Sequence, residues 1–399
     1  MSNILFLQGP LGPFFKKLAH HCASLGHYSH KINFNGGDRY YGGADNQLNY
    51  LGSPEHWHQF LTQFCIENSI DSVVVYGDCR FYHKVAKQVS VELNVDFWAF
   101  EEGYLRAGFV TLEQGGCNAN SPLFNNMDNL QSIEAKETNS SHPVSSTFGR
   151  RARYATCYYI WRSVRQIHFF HYRHHRPWGV IEEAYYWVKS FGQKWHARLL
   201  DPARYKAFIE KYDQQFFLLP LQVEVDFQLR DHSHFNSVEQ VIDEVLRSFA
   251  DNAAQEQGLL IKHHPQNRGF EHYGVFIDKL VDELSLQGRV LYGHDFNLPD
   301  VYHHAKGVVT VNSTVGISAL LHKLPTIVLG KALYNIAGLT YQGGLAQFWQ
   351  SIMNVDGNLF AQFRTHLCDK TQVEGDFYKD SESLIVSACQ KINHGSAQP

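Results

Sequence analysis

Apolar positions follow two patterns along this chain: short continuous runs that indicate buried strands, and longer stretches with the spacing of one helix face. In the first half, runs at 3–8, 30–35, 72–76 and 96–100 alternate with helix-like stretches at 14–25, 57–66 and 81–93. Strands and helices that alternate in this way build a parallel sheet covered by helices on both faces. The first half is therefore predicted to be an α/β domain.

The second half repeats this rhythm. Strands are predicted at 216–220, 258–263, 289–292, 307–311 and 325–329, with helices at 238–251, 270–284 and 317–322. Two successive α/β halves predict two Rossmann-like domains that face a cleft, which is the architecture of GT-B glycosyltransferases. Because one fold carries many functions, the architecture alone does not assign one.

The domain boundaries are predicted from where the alternation of strands and helices begins and ends. We expect an N-terminal Rossmann-like domain at 1–145, a basic, aromatic helical segment at 146–212, a C-terminal Rossmann-like domain at 213–350 and a helical tail at 351–399. Ligands of parallel sheets bind beyond the carboxyl ends of the strands. The turns at 9–13, 77–80 and 101–106, which follow first-half strands, are therefore expected to converge.

Composition narrows the class of protein. With 399 residues, 44% of them hydrophobic, the chain is long enough for more than one core. Its seven cysteines show no Cys-x-x-Cys spacing, so we expect reduced thiols rather than a disulfide framework or a zinc site. The first apolar run is too short for a signal peptide, and no run is long enough to span a bilayer. We expect a protein that is made in the cytosol and stays there.

Charge is distributed unevenly. Residues 149–198 hold ten lysines and arginines against two glutamates, a net charge of +8, whereas the rest of the chain carries −12. Aromatic residues are interleaved with these cations, a combination that favours the headgroup region of an anionic membrane. A nucleic-acid surface ranks lower. Helices packed through their aromatic rings beneath a solvated basic face stay an open alternative.

Four motifs at strand ends carry candidate chemistry. They are Glu101-Glu102-Gly103, Lys262-His263-His264-Pro265, Asn312-Ser313-Thr314 and the segment from Gln222 to Asp226. Imidazole, ammonium and hydroxyl groups at helix starts can bind phosphate, and paired carboxylates can transfer protons. Each motif also has a structural explanation, such as a solvated turn or a helix cap. The functional prediction therefore depends on the order and spacing of all four motifs together.

This order of motifs resembles that of bacterial CMP-sialic-acid and CMP-Kdo transferases. More narrowly, five segments of the chain resemble motifs of the capsule-polysaccharide β-Kdo transferases. They are Gln8-Gly9-Pro10-x-Gly12-Pro13-Phe14-Phe15, Tyr76-Gly77-Asp78-x-Arg80, 101–106, Gln222-Val223-x-x-Asp226 and Lys262-His263-His264-Pro265. The pattern is most similar to the single-domain members that start the poly-Kdo linker on lyso-phosphatidylglycerol. The resemblance covers about residues 1–125 and 215–345, and leaves the basic segment and the tail unmatched.

The resemblance implies a retaining transfer of β-Kdo from CMP-β-Kdo to lyso-phosphatidylglycerol through a covalent Kdo-enzyme intermediate. The first domain would bind the acceptor and the second the CMP-sugar. Such a double displacement needs a carboxylate nucleophile and a second acid. The nucleophile is expected to be Asp226 and the acid/base Glu102, with Glu101 as its rival. The family often has Glu-Asp-Gly where this chain has Glu-Glu-Gly, which leaves the choice between the two glutamates open.

The resemblance also implies binding roles. His264 would bind the CMP phosphate with Asn312, Ser313 and Thr314, Lys262 and Arg106 would bind the carboxylate of the sugar acid, and Gln222, Gly9 and Gly12 are further substrate-binding candidates. No cofactor or metal ion is expected, because CMP carries one phosphate and the chain has no Asp-x-Asp pair. Expected partners are the CMP-sugar, the anionic lipid acceptor, the inner face of the cytoplasmic membrane and capsule assembly or export proteins, but not nucleic acid.

Two alternatives stay open. One is a different GT-B enzyme, either a sialyltransferase or a polyol-phosphate transferase, which a panel of donors would identify. The other is a non-catalytic protein that binds nucleotide or lipid and organises capsule assembly. The candidate acids argue against the second alternative, because a non-catalytic protein has no need of them.

Overall fold

The computed structural model describes residues 1–105, 108–127, 129–137, 147–174, 180–223, 232–379 and 381–395. The chain divides into two compact units. Unit 1 comprises Met1–Asn129, Lys136–Pro177 and Arg364–Pro399, and unit 2 comprises Leu130–Ala135 and Trp178–Phe363. Among the described residues, no helix is long and apolar enough to cross a membrane.

Unit 1 is built on a seven-stranded sheet. Its strands are β1 (Asn3–Phe6), β2 (Tyr28–Asn33), β3 (Asn46–Asn49), β4 (Ser72–Tyr76), β5 (Asp96–Glu102), β6 (Phe109–Gln114) and β12 (Gln372–Glu374). Its helices are α1 (Phe14–Ser24), α2 (Gly36–Tyr40), α3 (Trp57–Glu67), α4 (Phe81–Leu93), α5 (Phe148–Val164) and α13 (Ser381–Gly395), with 3-10 turns at Pro54–His56, Asn118–Asn120 and Pro122–Asn126. The strand order is β12-β6-β5-β4-β1-β2-β3. Strands β1 to β5 are parallel, and β6 and β12 each pair antiparallel with a neighbour.

Each face of this sheet carries its own apolar core. Because side chains alternate across a strand, Ala99 of β5 enters the core beneath α3 and α4, whereas Phe100 enters the core beneath α1 and α13. The same alternation separates the two residues that end the strand. Glu101 points to the side of Ala99, and Glu102 points to the side of Phe100.

Unit 2 is built on a five-stranded, fully parallel sheet. Its strands are β7 (Phe216–Pro220), β8 (Gly258–Lys262), β9 (Val290–Gly293), β10 (Ala305–Thr310) and β11 (Thr326–Val328), in the order β11-β10-β7-β8-β9. Its helices are α6 (Val180–Tyr212), α7 (Val238–Asn252), α8 (Gly274–Glu283), α9 (Leu298–His304), α10 (Val315–Leu321) and α11 (Leu345–Phe348), with a 3-10 turn at Leu130–Ser132; α12 (Gly357–Thr371) begins here and ends in unit 1. Parallel sheets are covered on both faces, and every residue of β7 and β8 is accordingly buried.

The predicted α/β class is confirmed, and two α/β units in one chain agree with the GT-B class. The predictions at 72–76, 81–93 and 216–220 coincide with β4, α4 and β7. The sequence analysis does not predict β3, β6 or β12. Strands β3 and β12 are the edge strands of the first sheet. With four and three residues, these strands are too short to show an alternation of apolar and polar positions.

The observed division differs from the predicted domains at the basic segment and at the tail. The segment predicted at 146–212 is divided between the two units, because α5 belongs to unit 1 and α6 to unit 2. The tail predicted at 351–399 returns to unit 1, where β12 pairs with β6 and α13 packs on α1. An amphipathic helix shows in its sequence that it needs a partner, but not which unit supplies that partner.

Candidate functional site

Glu102, at the end of β5, is paired with a cation. Its Oε1 accepts a hydrogen bond from the Tyr76 hydroxyl at 3.4 Å, and Arg151 Nη1 lies 3.3 Å from the same oxygen. Arg151 comes from α5, and its guanidinium carbon lies 5.6 Å from the centroid of the Tyr378 ring. Glu102 is therefore held on one side of the sheet by Tyr76 and Arg151, and Tyr378 packs against Arg151.

Glu101 lies on the other side and has a raised pKa. Its Oε1 accepts the backbone N–H of Glu102 at 3.1 Å, and a Cβ on Gly77 would lie 3.7 Å from its Oε2. The turns after β4 and β5 thus meet, as expected for neighbouring parallel strands. Burial raises the pKa of Glu101 to about 7, and the charges of Glu102 and Asp78 act in the same direction, while Arg80 opposes them. A carboxyl group with this pKa exchanges its proton near neutral pH.

A buried polar cluster attaches the segment around α5 to unit 1. The Gln8 amide nitrogen lies 3.0 Å from Asp38 Oδ2 and 3.0 Å from the Tyr172 hydroxyl, and the Tyr158 hydroxyl donates to Asp38 Oδ1 at 3.1 Å. Burial raises the pKa of Asp38, and the hydrogen bonds to its carboxylate oppose this effect. The cluster fixes the helix that brings Arg151 to the glutamates.

Gly9 and Gly12, both predicted to bind substrate, are packed against protein side chains. A Cβ at Gly9 would lie 2.8 Å from the Phe15 ring, and one at Gly12 would overlap the Tyr154 ring. Gly12 also has a φ of +110°, which favours glycine. The structure therefore shows a packing role for both glycines, and substrate binding at these positions stays a prediction.

Gln222 and Asn312 come together at the carboxyl edge of the unit 2 sheet. Gln222 follows β7 and Asn312 follows β10, its neighbour, and the Gln222 amide nitrogen donates to Asn312 Oδ1 at 2.8 Å. Gln222 is buried, and its Oε1 has no hydrogen-bond partner among the described residues. A buried acceptor without a partner costs about 1–3 kcal/mol. A donor group on a ligand would remove this cost.

Ser313 and Thr314 form the turn between β10 and α10. The Ser313 hydroxyl accepts the backbone N–H of Val315 at 3.2 Å, and its carbonyl accepts a hydrogen bond from the Tyr334 hydroxyl. Because α10 has only seven residues, its dipole is small. Any contact with phosphate at this turn thus depends on side chains and backbone N–H groups, and the predicted role stays a prediction.

Nitrogen-bearing side chains cluster at the end of β8, and some of their nitrogen atoms have no hydrogen-bond partner among the described residues. Lys262 is buried, and burial lowers its pKa to about 8, with the positive charge of Arg268 adding to the effect. His263 bonds to the Tyr292 hydroxyl through Nδ1 at 2.8 Å, and burial lowers its pKa to about 2. Neither His263 Nε2 nor Arg268 Nε has a hydrogen-bond partner in the described chain. His264 Nδ1 lies 3.2 Å from the backbone nitrogen of the second residue after it and shapes the turn.

Two predicted site residues, Asp226 and Arg106, lie outside the described residues, so their roles stay predictions. The described chain on both sides of 224–231 is held by hydrogen bonds: Gln222 bonds to Asn312, and the carbonyl of His232 accepts the backbone N–H of Lys331 at 2.9 Å. Within the described ranges, no group of three or more His, Cys, Asp or Glu side chains is arranged to hold a metal ion.

Two residues beside the candidate site residues, one on α5 and one after β9, were not predicted from the sequence. Arg151 is one of ten lysines and arginines at 149–198, and nothing in its sequence context distinguishes it as the partner of Glu102. His294, whose ring centroid lies 4.3 Å from that of His263, follows the edge strand β9 and carries no motif. The parallel order of the strands could have indicated His294, because residues that follow β9 lie at the same edge of the sheet as those that follow β8.

Comparison with known proteins bears on the whole site. The profile of a family described as "Capsule polysaccharide biosynthesis protein" matches residues 71–378, which include both glutamates and the strand ends of unit 2. The chain belongs to this family. It is 40% identical to the Capsule polysaccharide export protein KpsS of Escherichia coli over 377 residues, which are 94% of this chain and 97% of that protein. It is 38% identical over 401 residues to the Capsule polysaccharide modification protein LipB of Neisseria meningitidis serogroup A, covering 94% and 92% of the two chains.

Among solved structures, the chain is similar to the KpsC β-Kdo 2,7 transferase of Thermosulfurimonas dismutans. The identity is 14%, the TM-score is 0.47, and the match covers 98% of this chain and 99% of that one. A likeness at this level carries no conclusion about chemistry. The expected membership of a capsule-polysaccharide family is confirmed by the sequence comparisons, which do not specify a reaction.

Proposed function

We propose that this protein is a retaining glycosyltransferase that transfers β-Kdo from CMP-β-Kdo to lyso-phosphatidylglycerol and so starts the poly-Kdo linker of a capsular polysaccharide. The observation that supports it best is Glu101, a carboxyl group with a pKa of about 7 at the carboxyl edge of a parallel sheet, in a chain of the capsule family. Perturbed carboxyl groups at such edges are typical of catalytic sites.

In the proposed first step, an Asp226 carboxylate oxygen bonds to the anomeric carbon of Kdo. The bond from that carbon to the CMP phosphate oxygen breaks, and its electron pair leaves with CMP while Glu101 donates a proton to the departing oxygen. In the second step, a lipid hydroxyl attacks the same carbon, Glu101 takes the hydroxyl proton, and Asp226 leaves. The sequence favours Glu102 for this proton transfer, but its ion pair with Arg151 makes Glu101 the better candidate.

The proposed donor site uses the nitrogen-rich strand ends of unit 2. Kdo and phosphate are both anionic, and Lys262 and Arg268 are cations whose burial strengthens their attraction for a bound anion. His264, Ser313 and Thr314 are assigned to the CMP phosphate, and the open Gln222 Oε1 to a hydroxyl or amino group of the donor. The proposed reaction needs no metal ion or cofactor.

A donor panel tests this proposal and its alternatives. CMP-Kdo generated in situ, CMP-sialic acid and CDP-glycerol are each incubated with the protein and lyso-phosphatidylglycerol, and released CMP is measured. We expect acceptor-dependent CMP release from CMP-Kdo alone, and its loss in Glu101→Gln. Turnover of CMP-sialic acid or CDP-glycerol but not CMP-Kdo would replace the proposal with another GT-B reaction. Nucleotide binding without turnover of any donor would support a non-catalytic assembly protein.

A further inference from the structure

Between residues 185 and 199, helix α6 carries a row of large apolar side chains on the outside. Val188, Phe191, Trp195 and Leu199 recur with the spacing of one helix face, and they are 73%, 55%, 71% and 62% exposed. Tyr185, also exposed, extends the same row. We call these five residues the α6 stripe. A surface helix ordinarily turns such a row toward the core of its own domain.

Between residues 190 and 201, the face of α6 that turns toward unit 2 is small or polar, whereas aromatic residues near the end of the helix enter the core of unit 2. Ser190 and Ala197 are buried, and Gln193 Oε1 accepts the backbone N–H of Gly269 at 2.8 Å. Asp201, buried at the same face, accepts two backbone N–H groups of the turn after β9 at 2.8 and 2.9 Å. These contacts fix the rotation of the helix about its axis. The exposure of the α6 stripe therefore follows from how α6 is attached.

Exposed cations flank the α6 stripe. Lys189 lies on one side of it, and Lys194 and Arg198 lie on the other, as helical spacing requires. No acidic residue occurs between positions 184 and 200. Lysine is depleted in protein–protein interfaces, and two copies that met through this face would bring like charges together. A row of aromatic and aliphatic side chains between cations is instead typical of a helix that lies in the headgroup region of a membrane.

We propose that the α6 stripe inserts among the headgroups of an anionic phospholipid membrane, with Lys189, Lys194 and Arg198 contacting lipid phosphates. This assigns membrane binding to α6 rather than to the whole basic segment. Two cations of α5 bond within unit 1 instead: Arg151 to Glu102, and Arg150 Nη1 to the Tyr378 carbonyl at 2.8 Å. Membrane binding by α6 does not depend on the proposed function, but the reason for it does, because an enzyme that uses a lipid acceptor meets that acceptor at a membrane.

Vesicle flotation of the full chain tests the proposal without any sugar donor. Phosphatidylcholine vesicles are compared with vesicles that also contain phosphatidylglycerol. We expect binding only to the anionic vesicles, and a loss of about 10-fold or more in Phe191→Ser/Trp195→Ser. The control is Val275→Ser/Ile352→Ser, which removes two even more exposed apolar side chains from other parts of unit 2 and should bind like wild type.

A second pair of variants tests the charges. Lys189→Gln/Lys194→Gln/Arg198→Gln should weaken binding by about 100-fold and remove most of its salt dependence, whereas the exposed control set Lys16→Gln/Lys279→Gln/Lys331→Gln should change it far less. Circular dichroism melts confirm that each variant folds. Absence of wild-type binding, equal binding of the stripe variant and its control, or a solution dimer that the stripe variant dissociates would each overturn the proposal. Vesicle binding without Kdo transfer would leave this inference standing and remove the proposed reaction.

Discussion

Arg151 and Glu102 form an ion pair, with Nη1 3.3 Å from Oε1, across 49 positions of sequence. Their side chains are 39% and 36% exposed, so the pair contributes at most about 1 kcal/mol to stability. Its importance is chemical. It gives Glu102 a cationic partner, while Glu101, on the other side of the sheet, has a pKa of about 7. The ion pair of Glu102 and the raised pKa of Glu101 place the two adjacent glutamates in different environments.

The first prediction separates these two glutamates. Glu101→Gln keeps a hydrogen-bonding side chain but cannot transfer the proton, so we expect kcat to fall by about 100- to 10,000-fold. Glu102→Gln loses only the ion pair and should fall by about 10-fold or less. The measurement is steady-state Kdo transfer with unchanged thermal melts as the control. A larger loss in Glu102→Gln would restore Glu102 as the acid/base.

The second prediction concerns pH. Since the first step consumes a proton from Glu101, kcat/KM for the donor should fall as pH rises through about 7, the raised pKa of this group in the free protein. The rate of CMP release at saturating lipid, measured from about pH 5.5 to 8.5, gives the profile. Glu101→Gln should lack this limb. A wild-type profile that stays flat through neutral pH would contradict the assignment.

The third prediction concerns the amide pair of unit 2. Gln222→Ala and Asn312→Ala should each lower kcat/KM for the donor by about 10-fold, and the double variant should lose little more, because each change already breaks the same 2.8 Å hydrogen bond. A double-mutant cycle gives a coupling of about 1 kcal/mol on this account. Fully additive effects would show that the two amides act independently.

The fourth prediction concerns the packing of α5 on α2. A Cβ at Gly36 would overlap the Trp161 carbonyl and lie 2.7 Å from Arg165 Cβ, so Gly36→Ala should lower the free energy of unfolding by about 1–3 kcal/mol. Gly149→Ala, at an α5 position with open space around it, is the matched control and should be neutral or stabilising by up to about 1 kcal/mol. Chemical denaturation followed by circular dichroism measures both. Equal stability of the two variants would mean that α5 does not pack there.

Much of the fold could be predicted from the sequence. The β-branched run that forms β4 and the apolar run that forms β7 are strong local signals, and both are buried on the two sides of a sheet. The pairing of β12 with β6 could not be predicted, because it joins segments about 260 positions apart through only three residues. Such a contact depends on the tertiary fold rather than on local propensity.

The candidate site was predictable where strand order alone positions it. Gln222 and Asn312 meet because β7 and β10 are neighbours, and the turn at Gly77 meets Glu101 because β4 and β5 are neighbours. Arg151 was not predictable, since one cation among ten carries no local sign of its partner. Glu101 and Glu102 lie on opposite sides of the sheet because successive side chains of a strand alternate, and this could have been predicted from the sequence.

The mass of the lipid product tests the proposed Kdo transfer most directly. Wild-type protein is incubated with CMP-Kdo, generated in situ, and lyso-phosphatidylglycerol, and the lipid fraction is analysed by mass spectrometry. We expect lyso-phosphatidylglycerol whose mass has increased by Kdo in the wild type and not in Asp226→Ala, which should fold normally. Unmodified lipid in the presence of intact CMP-Kdo, or equal product from Asp226→Ala, would contradict the proposed transfer.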